Sequence, residues 1–201
     1  MFTISVIFGS CKKEKVDDDG IDTSVYYVRF KLNGTEIAFQ YGDTYQHGFG
    51  ANPTLGGDFY CARVTSGLYN VNSVFSDYES IDITTIRLCD YTLPIDEDSL
   101  FHALFDAAVY DYFVEGVNTD EDGIEISWSD GEGNFYSSSL GSQSGSNFKI
   151  SEAQEIDPNP YSGDDQHEAR GTFNCKVYSF TSGEELTISD GEFYIAFSHV
   201  L

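Results

Sequence analysis

A chain of 201 residues with 16 Phe, 14 Tyr and 40% hydrophobic residues can bury a core of its own, which excludes an intrinsically disordered protein. Its 34 Asp and Glu against 10 Lys and Arg give a formal net charge of −24, a surface that repels nucleic-acid phosphates and anionic lipid headgroups. The same excess of carboxylate keeps a protein soluble and also offers ligands for calcium.

In chain order, MFTISVIF (1–8) is apolar or small, Gly9 and Ser10 are small, Cys11 follows, and Lys12, Lys13, Glu14 and Lys15 turn the chain polar. An apolar run closed by small residues is the pattern of a signal peptide. Phe8-Gly9-Ser10-Cys11 resembles the lipobox of a bacterial lipoprotein signal, in which the cysteine is lipidated and becomes the first mature residue. The apolar run is short and no Lys or Arg precedes it, which fits a signal truncated at its start. The expectation is therefore a signal peptide over 1–10, a lipid on Cys11, a flexible tether over 11–23, and a single β domain over 24–201. In that reading the membrane is reached only through the anchor at Cys11. The tether, with its Lys-rich start and Asp17, Asp18 and Asp19, resembles signals that send Bacteroidota lipoproteins to the cell surface. The expected address is the outer membrane, at the cell surface or on the periplasmic side.

Residues 25–41, VYYVRFKLNGTEIAFQY, predict a hairpin, because Asn33-Gly34 favours a two-residue type I′ turn. That turn pairs Leu32 with Thr35, Phe30 with Ile37, Val28 with Phe39 and Tyr26 with Tyr41, all on one face. Further strands are expected at 59–66 and at 80–91, the latter with a bulge near Thr84-Thr85 where its alternation changes phase. SLFHALFDAAVYDY (99–112) predicts one short helix capped by Ser99, with Leu100, Leu104, Phe105 and Ala108 inward and His102 in solvent. IEISWS (124–129) and NFYSSSL (134–140) flank an Asp130-Gly131-Glu132-Gly133 turn. DPNPYSGDDQHEA (157–169) reads as a polar loop. Residues 171–180 alternate as a strand, and Asp190-Gly191 predicts a closing hairpin that sets Ile188 against Phe193 and Leu186 against Ile195. The sum is an all-β fold, an antiparallel β-sandwich or barrel-like domain with one short helix.

Chemistry is sparse in the pattern. The four histidines, His47, His102, His167 and His199, share no metal-ligand spacing, and Cys61, Cys89 and Cys175 lie in strand-like stretches outside any CxxC arrangement. Two of these cysteines could pair in an exported protein, and buried free thiols are the alternative. Gly141-Ser-Gln-Ser-Gly145 carries Gln143 where a nucleophile elbow needs serine, and Ser146-Asn-Phe-Lys149 matches SxxK without companion motifs. Asn118, Asp120 and Asp122 before Gly123 match the first half of a calcium loop, but Ser129 stands where a bidentate glutamate belongs; solvated turns are the competing reading. No other cofactor is indicated. Tyr41, Tyr45, Phe49, Tyr60 and Tyr69 fall near Gly- and Asn-rich loops, either as sugar-stacking rings or as caps on the core.

The lipobox-like start, KLNGTEIAF, GIEISWSDGEGNFYSSSLGSQSGSNFKI (123–150), ARGTFNCKVYS and LTISDGEFYIAF together resemble small Bacteroidota lipoproteins of uncharacterised function that end in a GTF…DGxF hairpin region. The resemblance implies an exported all-β protein and supplies no catalytic residues. The expected function is a non-enzymatic surface module that binds a glycan or a protein. The alternative is an extracellular glycan hydrolase working through a carboxylate pair that the sequence does not single out.

Overall fold

The computed structural model describes residues 22–51, 54–56, 59–61, 63–72, 78–86, 101–102, 104–105, 109–117, 123–157 and 165–199. Thirteen strands are present among them: β1 (Tyr27–Leu32), β2 (Thr35–Gln40), β3 (Tyr45–Ala51), β4 (Thr54–Gly56), β5 (Phe59–Cys61), β6 (Arg63–Asn70), β7 (Glu79–Ile86), β8 (Val109–Tyr110), β9 (Gly123–Asp130), β10 (Phe135–Ser137), β11 (Asn147–Ile156), β12 (Gln166–Ser179) and β13 (Glu185–Ser198). Eleven of these form one antiparallel sheet in the order β2-β1-β13-β12-β10-β9-β7-β6-β3, with β11 beside β12 and β8 beside β11; β4 and β5 pair separately. The outer strands of that path, β2 and β3, are consecutive in the chain. The short turn between them holds a Tyr41–Tyr45 bridge and a Gly42 N–H bond to the Tyr45 carbonyl at 2.9 Å, so the sheet curls into a nearly closed barrel.

The first hairpin has the expected register: Leu32 faces Thr35, Phe30 faces Ile37, Val28 faces Phe39, and the Tyr41 N–H bonds the Tyr26 carbonyl at 2.8 Å. Asn33 and Gly34 take φ of 47° and 85°, as a type I′ turn demands. The barrel interior is filled mainly by aromatic and β-branched side chains. Phe30, Phe39, Phe148, Phe173, Phe193 and Phe197 are fully buried beside Leu68, Ile81, Ile83, Ile124 and Ile126. Phe148 stacks on Phe193 at 5.2 Å, and each such ring contributes roughly 1.5–3 kcal/mol by leaving water.

Several expectations are corrected. Asp190-Gly191 makes no turn: β13 runs unbroken through it for 14 residues, with Asp190 at φ 52°. The register passes from Phe173↔Gly191 to Cys175↔Ile188 on one side and from Arg29↔Glu192 to Lys31↔Ser189 on the other, so β13 carries one extra residue relative to both neighbours. This is a β-bulge, and Asp tolerates the left-handed conformation it needs. Thr84 and Thr85 sit in an unshifted register against both β6 and β9; the change of phase reflects burial on both faces, each threonine being 2% exposed.

The expected helix over 99–112 shrinks in the described part. Phe101 and His102 are helical, Leu104 and Phe105 form a turn, and Val109–Tyr110 is already β8, paired with Lys149 and Phe148. β-Branched and aromatic residues there gain more from the sheet than from a helical turn. The strand over 134–140 stops at Ser137 and continues as a 3₁₀ turn, Ser138–Leu140. The strand at 59–66 is two strands, β5 and β6. The polar loop ends early, since β12 begins at Gln166.

Candidate functional site

β13 reaches beyond the start of β1, whose register with it ends at Tyr27↔Tyr194. Past that point side chains join the far half of β13 to β3 and β6. Ser66 Oγ donates to the Ala196 carbonyl, which uses the hydroxyl proton, so His47 Nε2, 2.8 Å from Ser66 Oγ, is the donor to it. Burial pushes the His47 pKa down to about 4, so the ring is neutral at physiological pH.

A row of rings crosses this seam. Tyr194 meets Tyr26 at 5.1 Å, Tyr26 meets His47 at 4.9 Å, and His47 meets Phe49 at 4.4 Å; Tyr41 joins from the side, 6.4 Å from Tyr26. Tyr41 and Phe49 are exposed, at 44% and 39%. These spacings and their tilted or edge-on angles are those of rings in direct contact with one another.

Beside the rings lies a polar recess of about 210 Å³ lined by Glu152, Ala153, Gln154, Glu168, Arg170 and Tyr194. Strand register builds it: Gln154 is opposite Glu168, while Glu152, Arg170 and Tyr194 are opposite one another across three strands. The Glu168 carboxylate accepts from Tyr26 Oη at 2.8 Å, Tyr194 Oη at 2.7 Å and Gln154 Nε2 at 3.4 Å. Burial, and then the bond to Glu168, raises the Tyr194 pKa to about 12 and drives that of Tyr26 higher still, so both phenols remain donors. The Arg170 guanidinium lies 3.5 Å from the centre of the Tyr194 ring, a cation–π contact, and its Nη2 donates to the Thr23 carbonyl at 3.3 Å. The recess thus sets a carboxylate that holds three protein donors, an amide and a cation stacked on Tyr194 beside the exposed rings of Tyr41 and Phe49, a mixture of polar groups and aromatic surface of the kind that lines ligand sites.

Other expected residues are distributed differently. Tyr69 is exposed on the outer face, packed on Gly48, and Tyr45 Oη bonds Glu79 at 2.8 Å. Cys11, Asn118, Asp120, Asp122, Cys89 and the side chains of Tyr60 and Cys61 lie outside the described residues. Cys175 is a buried free thiol. Asp130 bonds the Glu132 and Asn134 N–H groups at 2.8 and 3.1 Å and Asn134 Nδ2 at 2.7 Å, the geometry of a self-contained turn. Gln143 clamps the Ser138 and Lys176 carbonyls, both at 2.7 Å, and Ser146 Oγ donates to Gln143, which gives this Gly-Ser-rich stretch a structural role. Among the described residues no group of three or more His, Cys, Asp or Glu is placed to hold a metal.

His102 is corrected: it is half-buried, and its Nδ1 lies 2.6 Å from His167 Nε2. Sequence spacing could not bring residues 65 apart together.

A carboxylate pair exists at Asp82 and Glu125. Burial first, and then the Glu125 charge, raise the Asp82 pKa to about 6. Glu125 is 8% exposed; it bonds Arg63 at 2.7 Å and accepts from Ser137, Ser139 and Ser127 at 2.7, 3.1 and 3.4 Å. Its carboxylate is engaged by protein groups rather than presented to solvent, an arrangement suited to joining β9, β10 and β6.

No family model matches the chain, and comparisons with curated proteins and with solved structures return no match.

Proposed function

We propose that this protein is a non-catalytic carbohydrate-binding module, held at the outer membrane by a lipid on Cys11, that grips a short neutral oligosaccharide along the barrel seam. The observation that carries the reading is the row Tyr194–Tyr26–His47–Phe49 running beside the Glu168–Arg170 recess. Rings supply area with little conformational freedom to lose, and the recess supplies paired hydroxyl donors and acceptors. A net charge of −24 favours neutral over sulfated or uronic-acid glycans.

The test is calorimetric titration with a panel of neutral oligosaccharides, followed by assay of any binder for cleavage. Binding without cleavage is expected. Phe49→Ala and Tyr41→Ala should each weaken it by about 1–2 kcal/mol, roughly tenfold, with the fold unchanged. A panel without a binder, or a binder indifferent to both substitutions, rejects the seam. Cleavage of a bound glycan would transfer the protein to the hydrolases.

A further inference from the structure

Three of the chain's four histidines converge at the end of the barrel where β12 begins and β13 ends. His167, in β12, is stacked on Phe105 at 4.9 Å; His199, just after β13, is stacked on Phe101 at 4.9 Å. His102, between those two phenylalanines in sequence, puts Nδ1 2.6 Å from His167 Nε2. Asp165 is tied to the same place, since its carbonyl accepts the His199 N–H at 2.9 Å. Phe101, Leu104 and Phe105 are 1%, 5% and 3% exposed, so these side chains form an apolar plug at that end.

The protons can be placed. Asp165 Oδ2 stands 3.8 Å from His102 Nε2, too far for a hydrogen bond but near enough to favour a proton on that nitrogen. His102 Nδ1 then bears a lone pair, and His167 donates its Nε2 proton to it. That leaves His167 Nδ1 as a bare lone pair, buried and without a hydrogen-bond partner, in a side chain 8% exposed. A protonated pair can keep one N–H to N bond between the rings only by placing a proton on His167 Nδ1, where it is buried and faces no acceptor. The added proton therefore penalises the closed arrangement.

We propose that the His102–His167 contact is an acid-sensitive latch that holds Phe101 and Phe105 over the end of the barrel and releases them when the pair takes up a proton. The charged and titratable groups facing His167 are His102 from the plug, Glu155 opposite it on β11, Asp165 just before β12, and His199 after β13. Burial and His102 hold the His167 pKa below its ordinary 6.5, against the pull of Glu155 and Asp165. The folded state therefore takes up this proton less readily than the unfolded chain, and closure weakens as pH falls below about 6.5.

Hydrogen exchange of the full chain, corrected for intrinsic rates, reads the latch directly. Between about pH 7.5 and about pH 5, protection of the segment around 101–105 should fall about tenfold or more, while the β1–β13 pairing keeps its protection. Binding of a hydrophobic dye should rise over the same range as Phe101 and Phe105 are uncovered. His167→Gln keeps an N–H donor toward His102 but takes no proton, so its segment should stay closed at both pH values. Should that variant fail to fold, NMR titration of the wild-type histidines decides: His167 titrating below 6.5 together with plug opening supports the latch. Uniform protection across pH, or a His167 that titrates at or above 6.5, overturns it.

Discussion

Two carboxylates of this barrel show how neighbouring side chains divide one chemistry. Glu168 accepts from two phenols and an amide at the edge of a recess. Asp82 is packed over Gly67 with Glu125 nearby, and its pKa rises from 3.8 to about 6. The sign follows from which state binds the proton. Folded Asp82 holds it up to about pH 6 while the unfolded chain has already lost it, so stability contributed by this group drains away as pH climbs from 3.8 to about 6. Asp82→Asn should accordingly raise stability at about pH 8 by up to about 3 kcal/mol and have little effect near pH 4, as measured by urea melts. His47 works in the other direction. With its pKa held at about 4, its contribution is intact above 6.5 and is lost as pH falls toward 4.

At the scale of elements, the same kind of dipeptide produced two structures. Asn33-Gly34 turned the chain, while Asp190-Gly191 became a bulge inside a strand. Local sequence marks both as places where left-handed backbone is tolerated. What separates them is the partner. β2 has only β1 to fold back upon, whereas β13 lies between β1 and a β12 of 14 residues that pairs with it on both sides of the bulge. A reading of local pattern therefore recovered the hairpin register residue by residue and missed the continuity of β13.

The two glycines should fail differently. A Cβ on Gly34 meets open space, so Gly34→Ala should cost about 1 kcal/mol through its positive φ alone. A Cβ on Gly191 would press into the Phe173 carbonyl and ring, so Gly191→Ala should cost about 1–3 kcal/mol, and thermal melts of the pair separate strain from crowding.

For the whole molecule, charge and closure dominate. A net charge of −24 on a domain of this size repels itself, so raising salt from about 0.02 M to about 0.5 M should raise the melting temperature without any ligand. The all-β class was readable from aromatics, alternation and turn residues. The candidate site was readable only in fragments, as the rings at Tyr41 and Phe49. Tyr26, Glu168, Arg170 and Tyr194 join those rings because strands distant in the chain are neighbours in the sheet, and no spacing along the sequence encodes that adjacency.

The Ser66 and His47 side chains that tie β6 and β3 to β13 carry one more consequence. Where backbone ladders fix the distance between strands, a hydroxyl and an imidazole leave it adjustable. An oligosaccharide lying from Tyr194 to Phe49 would cross this adjustable line and fasten its two banks like a clasp. Its footprint in solution would then be wider than its contacts, with slowed amide exchange on both β3 and the far half of β13, strands that share no ladder of their own.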